Sequence, residues 1–310
     1  MLAIALALGA SLCWGSGDFL GGLTARRTSL WTVIIGSQAV GLAAAAAVTL
    51  ATGHPWPGLG VVWPVLLGGV ASVVAISSFY RALAIGTMSI VAPLTATSGV
   101  VPFVAGILQG ERPAALQLAG VALAATGVVL AAVEPERPGE TIGVAAMPNE
   151  PAVEPAVVRE GLAAPAAGRQ RRRDQRVAVG LALLAALCIG LVLLGYDATA
   201  KHDALWAMLG GRISSATMFT VLFLVLRPRV SVTRAAVPYL VAVGILDTSA
   251  NGLFSLSTTQ GYLSLVAVLG SVYPVVTVLL AFVLLRERIA RHQLVGVVAA
   301  LTGVALIAAG

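Results

Sequence analysis

Apolar runs of about 20 residues, the length needed to cross about 30 Å of hydrocarbon, recur from one end of this 310-residue chain to the other with only short polar breaks. Water cannot be the main solvent of such a chain. Hydrophobic residues make up 58% and charged residues 10%, where soluble domains carry about a quarter charged residues. The runs predict all-α structure, with helices at about 2–23, 30–51, 61–82, 87–108, 113–133, 177–196, 203–226, 235–257, 262–284 and 289–309. A membrane β-barrel would alternate apolar and polar residues along each strand, and these runs are apolar on every side. The breaks carry turn and charge chemistry, as in Gly53-His-Pro-Trp-Pro57, Gly110-Glu-Arg-Pro113 and Arg227-Pro-Arg229.

One long interruption, 134–176, is rich in Pro, Ala and Glu and ends in Arg169-Gln-Arg-Arg-Arg173-Asp-Gln-Arg176. It has too little apolar surface to fold alone and is expected to be a disordered linker. The net charge of +6 comes from arginines in short loops and in this segment, which suits topology rather than nucleic-acid binding. Met1 leads straight into Leu2-Ala3-Ile4 without a basic stretch, so the first run is expected to be a retained helix. Cys13 and Cys188 sit inside apolar runs at no metal or disulfide spacing and are read as small packing residues.

The chain also repeats itself. A shift of 175 places Leu6-Ala-Leu-Gly-Ala-Ser-Leu-Cys-Trp-Gly15 on Leu181-Ala-Leu-Leu-Ala-Ala-Leu-Cys-Ile-Gly190, and Leu30-Trp31 on Leu205-Trp206. After one inserted residue, Glu111-Arg112 falls on Glu287-Arg288, Gln117-Leu118 on Gln293-Leu294, and Thr126-Gly-Val128 on Thr302-Gly-Val304. Composition bias would match Ala, Leu and Val, but not Cys, Trp, Gln and the Glu-Arg pair in one register. The reading is a first repeat over 1–133, a linker over 134–176 and a second repeat over 177–310, each repeat of five helices. An odd number of helices per repeat makes the second enter the membrane the opposite way round. Such inverted repeats carry their site near the midplane and work by alternating access.

Trp14-Gly15, Gly110-Glu-Arg-Pro113 followed by Gln117-Leu118 and Gly120, and Arg286-Glu-Arg288 followed by Gln293-Leu294 and Gly296 give the chain its resemblance to the EamA family of the drug/metabolite transporter superfamily. The resemblance implies ten membrane helices and export or exchange of amino acids, drugs or other small metabolites, usually in a bacterial inner membrane. It also implies cytoplasmic termini. Loop charge argues the reverse: cytoplasmic termini would leave only Arg112 and Lys201 in the inside loops, against sixteen arginines outside, or nine once the linker is set aside.

Ionisable residues at membrane depth cost several kcal/mol and mark function by default. Asp18, Arg212 and Asp247 qualify. Asp18 follows Gly15-Ser-Gly17 and could equally snorkel to the interface. Arg212 is about nine residues into its helix, too deep to snorkel, and is expected to pair with an acid. Asp247, Asn251 and Ser255 form one polar stripe, facing either a cavity or Arg212. Gln38, Tyr80, Thr95, Thr97, Ser98, Ser271 and Tyr273 could add neutral hydrogen bonds, or bond their own backbone. Pro93, Pro102 and Pro274 interrupt the fourth and ninth helices, as gates or static kinks. Glu111 and Glu287 are expected to cap the fifth and tenth helices, and Gly120, Gly127, Gly296 and Gly303 to pack those helices closely.

The partners expected are a small-molecule substrate, the lipid bilayer and a coupling proton or ion, with no nucleic acid. No phosphate-binding loop or metal-ligand cluster occurs, so no cofactor is expected and transport should draw on gradients rather than ATP. Two other functions compete. An intramembrane aspartyl protease would use Gly15-Ser-Gly-Asp18 and Tyr196-Asp197, but these stand in the wrong order and lack a following Pro-Ala-Leu. A non-transporting membrane subunit would need no site at all.

Overall fold

The computed structural model of the chain describes residues 1–25, 28–85, 91, 94–133, 164–285 and 290–310. Among these, every regular element is helical: α1 (Leu2–Ala25), α2 (Leu30–Ala51), α3 (Leu59–Ile85), α4 (Val100–Leu108), α5 (Ala115–Ala132), α6 (Ala164–Ala200), α7 (Ala204–Leu226), α8 (Val237–Thr258), α9 (Leu263–Gly270), α10 (Tyr273–Leu285) and α11 (Arg291–Ala309). Helices α9 and α10 form one span, Leu263–Leu285, and α4 continues a shorter apolar helix, Leu94–Leu108, through a 3₁₀ turn at Thr97–Gly99. Nine of the described helices are long and apolar enough to cross a membrane, and Leu94–Leu108 is the shorter tenth.

The linker expectation needs correction. Residues 134–163 lie outside the described residues, but 164–176 are the first turns of α6 and not a disordered tail. Ala, Arg and Gln are strong helix formers, and a turn added to an existing apolar helix needs no new nucleus.

The closest helix pairs all join one repeat to the other. Helix α5 packs on α11, α3 on α6 and α7, α1 on α8 and α10, and α2 on α7 and α8. Exchanging the repeats maps α1 on α8 to α6 on α3, and α2 on α8 to α7 on α3, so the pairs are related by a pseudo-two-fold axis. The local chemistry repeats too. Gln117 Oε1 accepts from the Ala114 amide at 2.9 Å, and Gln293 Oε1 accepts from the Ala290 amide at 3.1 Å, starting α5 and α11 alike.

The capping expectation for Glu111 is therefore wrong in its target, because Gln117 already serves α5. Glu111 reaches across the repeats to the start of α9, where its carboxylate accepts from the amides of Leu263 at 2.6 Å and Ser264 at 2.8 Å. A helix N-terminus offers unsatisfied N–H groups and positive potential, so the carboxylate completes it. Glu287 lies outside the described residues. Other contacts tie the repeats on the same face, which also carries both chain ends. Lys201 Nζ donates to Gln109 Oε1 at 2.9 Å, His54 Nδ1 lies 2.7 Å from Asp203 Oδ2, and the Trp56 and Trp206 rings meet edge-on at 4.8 Å.

Replacing Glu111 with Gln should loosen this face, since an amide can offer only one oxygen and turns a donor toward the second N–H. A lost helix cap costs about 1 kcal/mol, so amide exchange at Leu263 and Ser264 should speed up about fivefold while α11 is unchanged. Equal exchange in both proteins, measured by hydrogen–deuterium exchange in micelles, would show that the carboxylate does not hold α9.

Candidate functional site

Side chains from both repeats converge on a cavity of about 340 Å³, lined by Asp18 and Trp14 of α1, Gln38 of α2, Ser72 of α3, Arg212 and Ser215 of α7, and Asp247 and Asn251 of α8. Ser98, Ser271, Tyr273 and Tyr196 add hydroxyls, and Ala75, Ile76, Ile189, Val192, Leu193 and Phe219 supply apolar wall. The volume lies within the range that binds small molecules.

The cavity sits on the pseudo-two-fold axis. The 175-residue shift carries Trp14 to Ile189, Asp18 to Leu193, Ser72 to Asp247, Ile76 to Asn251 and Ser98 to Tyr273, and both members of each pair line the wall. Equivalent backbone positions thus face one another, while their chemistry differs. The acids occur once each, so the charge is not shared between the repeats.

Arg212 is buried, and its Nη2 lies 2.6 Å from Asp247 Oδ2. Its Nη1 donates to Gln38 Oε1 at 3.2 Å, and the same oxygen accepts from Ser215 Oγ at 3.2 Å. Asp247 is half-open, with 41% of its side chain exposed against 3% for Arg212, so the carboxylate is the end of the pair that meets the cavity. Asp18 accepts no hydrogen bond and pairs with no cation among the described residues. With Asp18 and Asp247 ionised against Arg212, the formal charge of the wall is −1.

Small residues and a broken helix bring α1 to this wall. Pro274 has no N–H to offer the carbonyl of Gly270, four residues back, and the span breaks there into α9 and α10. Ser11 Oγ fills the gap from α1, lying 2.7 Å from the Gly270 carbonyl and 2.5 Å from that of Leu269. A freed carbonyl at membrane depth is thereby satisfied by the opposite repeat. One turn on, Gly15 lies where a Cβ would meet the Tyr273 carbonyl at 2.6 Å, and its own carbonyl accepts from Thr277 Oγ1 at 3.1 Å. This close approach sets Trp14 against Phe254 and Tyr273, with ring centroids 5.7 and 6.4 Å apart.

Of the residues singled out from sequence, Asp18, Gln38, Arg212, Asp247, Asn251 and Tyr273 come together here, with Ser98 and Ser271. Ser255 is buried off the cavity wall, so the stripe below Asp247 reaches the lumen only as far as Asn251. Thr97 Oγ1 bonds the Leu94 carbonyl at 2.6 Å. The side chain of Tyr80 and the whole of Pro93 lie outside the described residues. Pro102 is buried in the first turn of α4, just after the 3₁₀ turn. Ser215 and Phe219 also line the wall and carry no signal in the sequence, whereas Ser72 is marked there as the repeat partner of Asp247. Asp197, the second acid of the protease alternative, is not part of the wall and pairs with Lys201 at 2.8 Å, so the two carboxylates that such chemistry would join are held apart.

A solved crystal structure shares the fold, with a TM-score of 0.72 over 98% of this chain and 95% of that one at 17% identity. No curated protein sequence matches the chain significantly. The model of the EamA-like transporter family matches residues 1–133 and 176–309, which is most of both repeats, and the chain belongs to that family.

Proposed function

We propose that this protein is a secondary transporter that moves small metabolites by alternating access, with the cavity on the pseudo-two-fold axis as its substrate site. The observation that carries the reading is the Asp18, Arg212 and Asp247 constellation, ionisable at membrane depth and open to a lumen between inverted repeats. A packing role would need no lumen and would leave no carboxylate unpaired. Because the closest pairs among the described helices join the repeats, the moving bodies are mixed bundles that draw helices from both, rather than one repeat against the other. The form we propose for this activity is net export across a bacterial inner membrane, coupled to a proton or ion gradient.

Asp247→Asn keeps the shape and an acceptor oxygen for Arg212 but removes the charge that meets the lumen. In proteoliposomes screened with mixed labelled amino acids, amines and other small metabolites, wild-type protein should accumulate or exchange at least one solute. The variant should purify as a folded monodisperse species and lose roughly tenfold or more of that flux. No flux of any solute from either protein would overturn the transporter reading, and equal flux would remove Asp247 from the mechanism.

A further inference from the structure

With both acids ionised, the charges in the cavity do not balance, and the imbalance has a location. Among the described residues, Arg212 is the one cation on the wall, and its two terminal nitrogens are engaged, by Asp247 on one side and Gln38 on the other. Its remaining donor, Nε, has no hydrogen-bond partner but is buried away from the lumen, so Arg212 is poorly placed to receive an anion. Asp18 carries the remaining negative charge and has no partner among the described residues. It stands one helical turn from Trp14, so the two side chains share a face of α1. Trp14 is fixed in turn by Phe254 and by Tyr273, whose side chain also lines the wall. A carboxylate beside immobilised aromatic rings in a partly dehydrated lumen is the arrangement that holds a soft, weakly hydrated cation, through charge and through the negative face of the rings.

Resting on the transporter reading above, we infer that the cargo is a monovalent organic cation, an amine or quaternary ammonium, whose charged nitrogen sits between Asp18 and the Trp14 and Tyr273 rings. A cavity of about 340 Å³ takes such a molecule with an apolar substituent of modest size, and Ile189, Val192 and Leu193 supply the apolar wall opposite. The charge count sets the selectivity: one positive charge neutralises the lumen, a neutral solute leaves Asp18 stripped of water without a partner, and an anion adds a second unpaired negative charge.

Binding can be read without transport, which separates this inference from the reading it rests on. Full-length protein in maltoside micelles would be titrated calorimetrically with benzyltrimethylammonium, with uncharged N-benzylacetamide and with anionic phenylacetate, three soluble probes of similar size. The cation should bind saturably, and the other two roughly tenfold more weakly or not at all. Asp18→Asn should weaken cation binding roughly tenfold, Asp18→Glu should stay within about threefold of wild type, and Trp14→Leu should lose about fivefold. Equal affinity for N-benzylacetamide or phenylacetate, an unchanged affinity in folded Asp18→Asn, or no cation binding up to millimolar concentration would each overturn it. The probe series on wild-type protein decides the matter even if Asp18→Asn does not fold. Flux of a neutral or anionic solute in proteoliposomes without cation binding would leave the transporter standing and remove the cation.

Discussion

Asp247→Ala should destabilise the protein by about 3 kcal/mol and Arg212→Ala by about 2 kcal/mol, and the double variant should lose less than the sum by about 2 kcal/mol. The reason lies in the 2.6 Å contact between the two side chains and in how differently they are exposed. Removing one partner of a buried pair leaves the other charge without compensation, whereas removing both leaves only a small cavity. The two single variants should not be equal. Arg212 is 3% exposed and a guanidinium does not shed its proton, so Asp247→Ala strands a fixed positive charge among apolar helices. Asp247 is 41% exposed toward the lumen, so Arg212→Ala leaves a carboxylate that water can reach. Asp247→Ala should therefore be the worse of the two, with Asp247→Asn between it and wild type. Unfolding in mixed detergent micelles gives all four corners of the cycle. Strict additivity would show that the pair does not act as a unit.

The helices were legible because the bilayer makes so simple a demand. Each span must be apolar for about 20 residues, and the polar breaks then mark the loops to within a few positions. The repeat register was equally legible, because Gln117 and Gln293 each begin a helix and recur at the same place in both copies. Membrane-depth charge pointed to Asp18, Arg212 and Asp247, since little else explains such residues there. What sequence could not supply was the partner across space. Glu111 looks like the cap of the helix that follows it, and only the interleaving of the repeats reveals that it serves α9, 152 residues away. Ser11 is likewise one more small residue in an apolar run until the break at Pro274 gives its hydroxyl two carbonyls to bind. The turns of α6 before Arg176 are not legible in composition, which describes a segment by itself, because these residues extend a helix that the membrane half already stabilises.

Gly127→Leu should be more damaging than any lipid-facing substitution on the same helix, and the geometry of α5 against α11 gives the reason. A Cβ at Gly127 would stand 2.3 Å from the Ala300 amide nitrogen and 2.6 Å from the Gly296 carbonyl, and one at Gly296 would meet the Gly127 carbonyl at 2.7 Å. Gly120 and Gly303 form the same reciprocal contact, with 2.7 and 2.6 Å to each other's carbonyls. These atoms are backbone, and backbone inside two hydrogen-bonded helices cannot turn aside as a side chain can. The helices would have to separate along the seam, because Gly120 and Gly127 stand two turns apart on the same face. In a membrane, where lipid tails offer no hydrophobic drive to bring helices together, close packing of small residues is much of what holds such a pair. Overpacking of this kind costs about 3 kcal/mol, the upper end of the usual range. Ala122→Leu adds a similar bulk on α5 at an exposed position and should change little. Thermal unfolding in micelles, read by the loss of the monodisperse peak, compares the two directly. A Gly127→Leu protein as stable as Ala122→Leu would mean that α5 and α11 are not held by this seam.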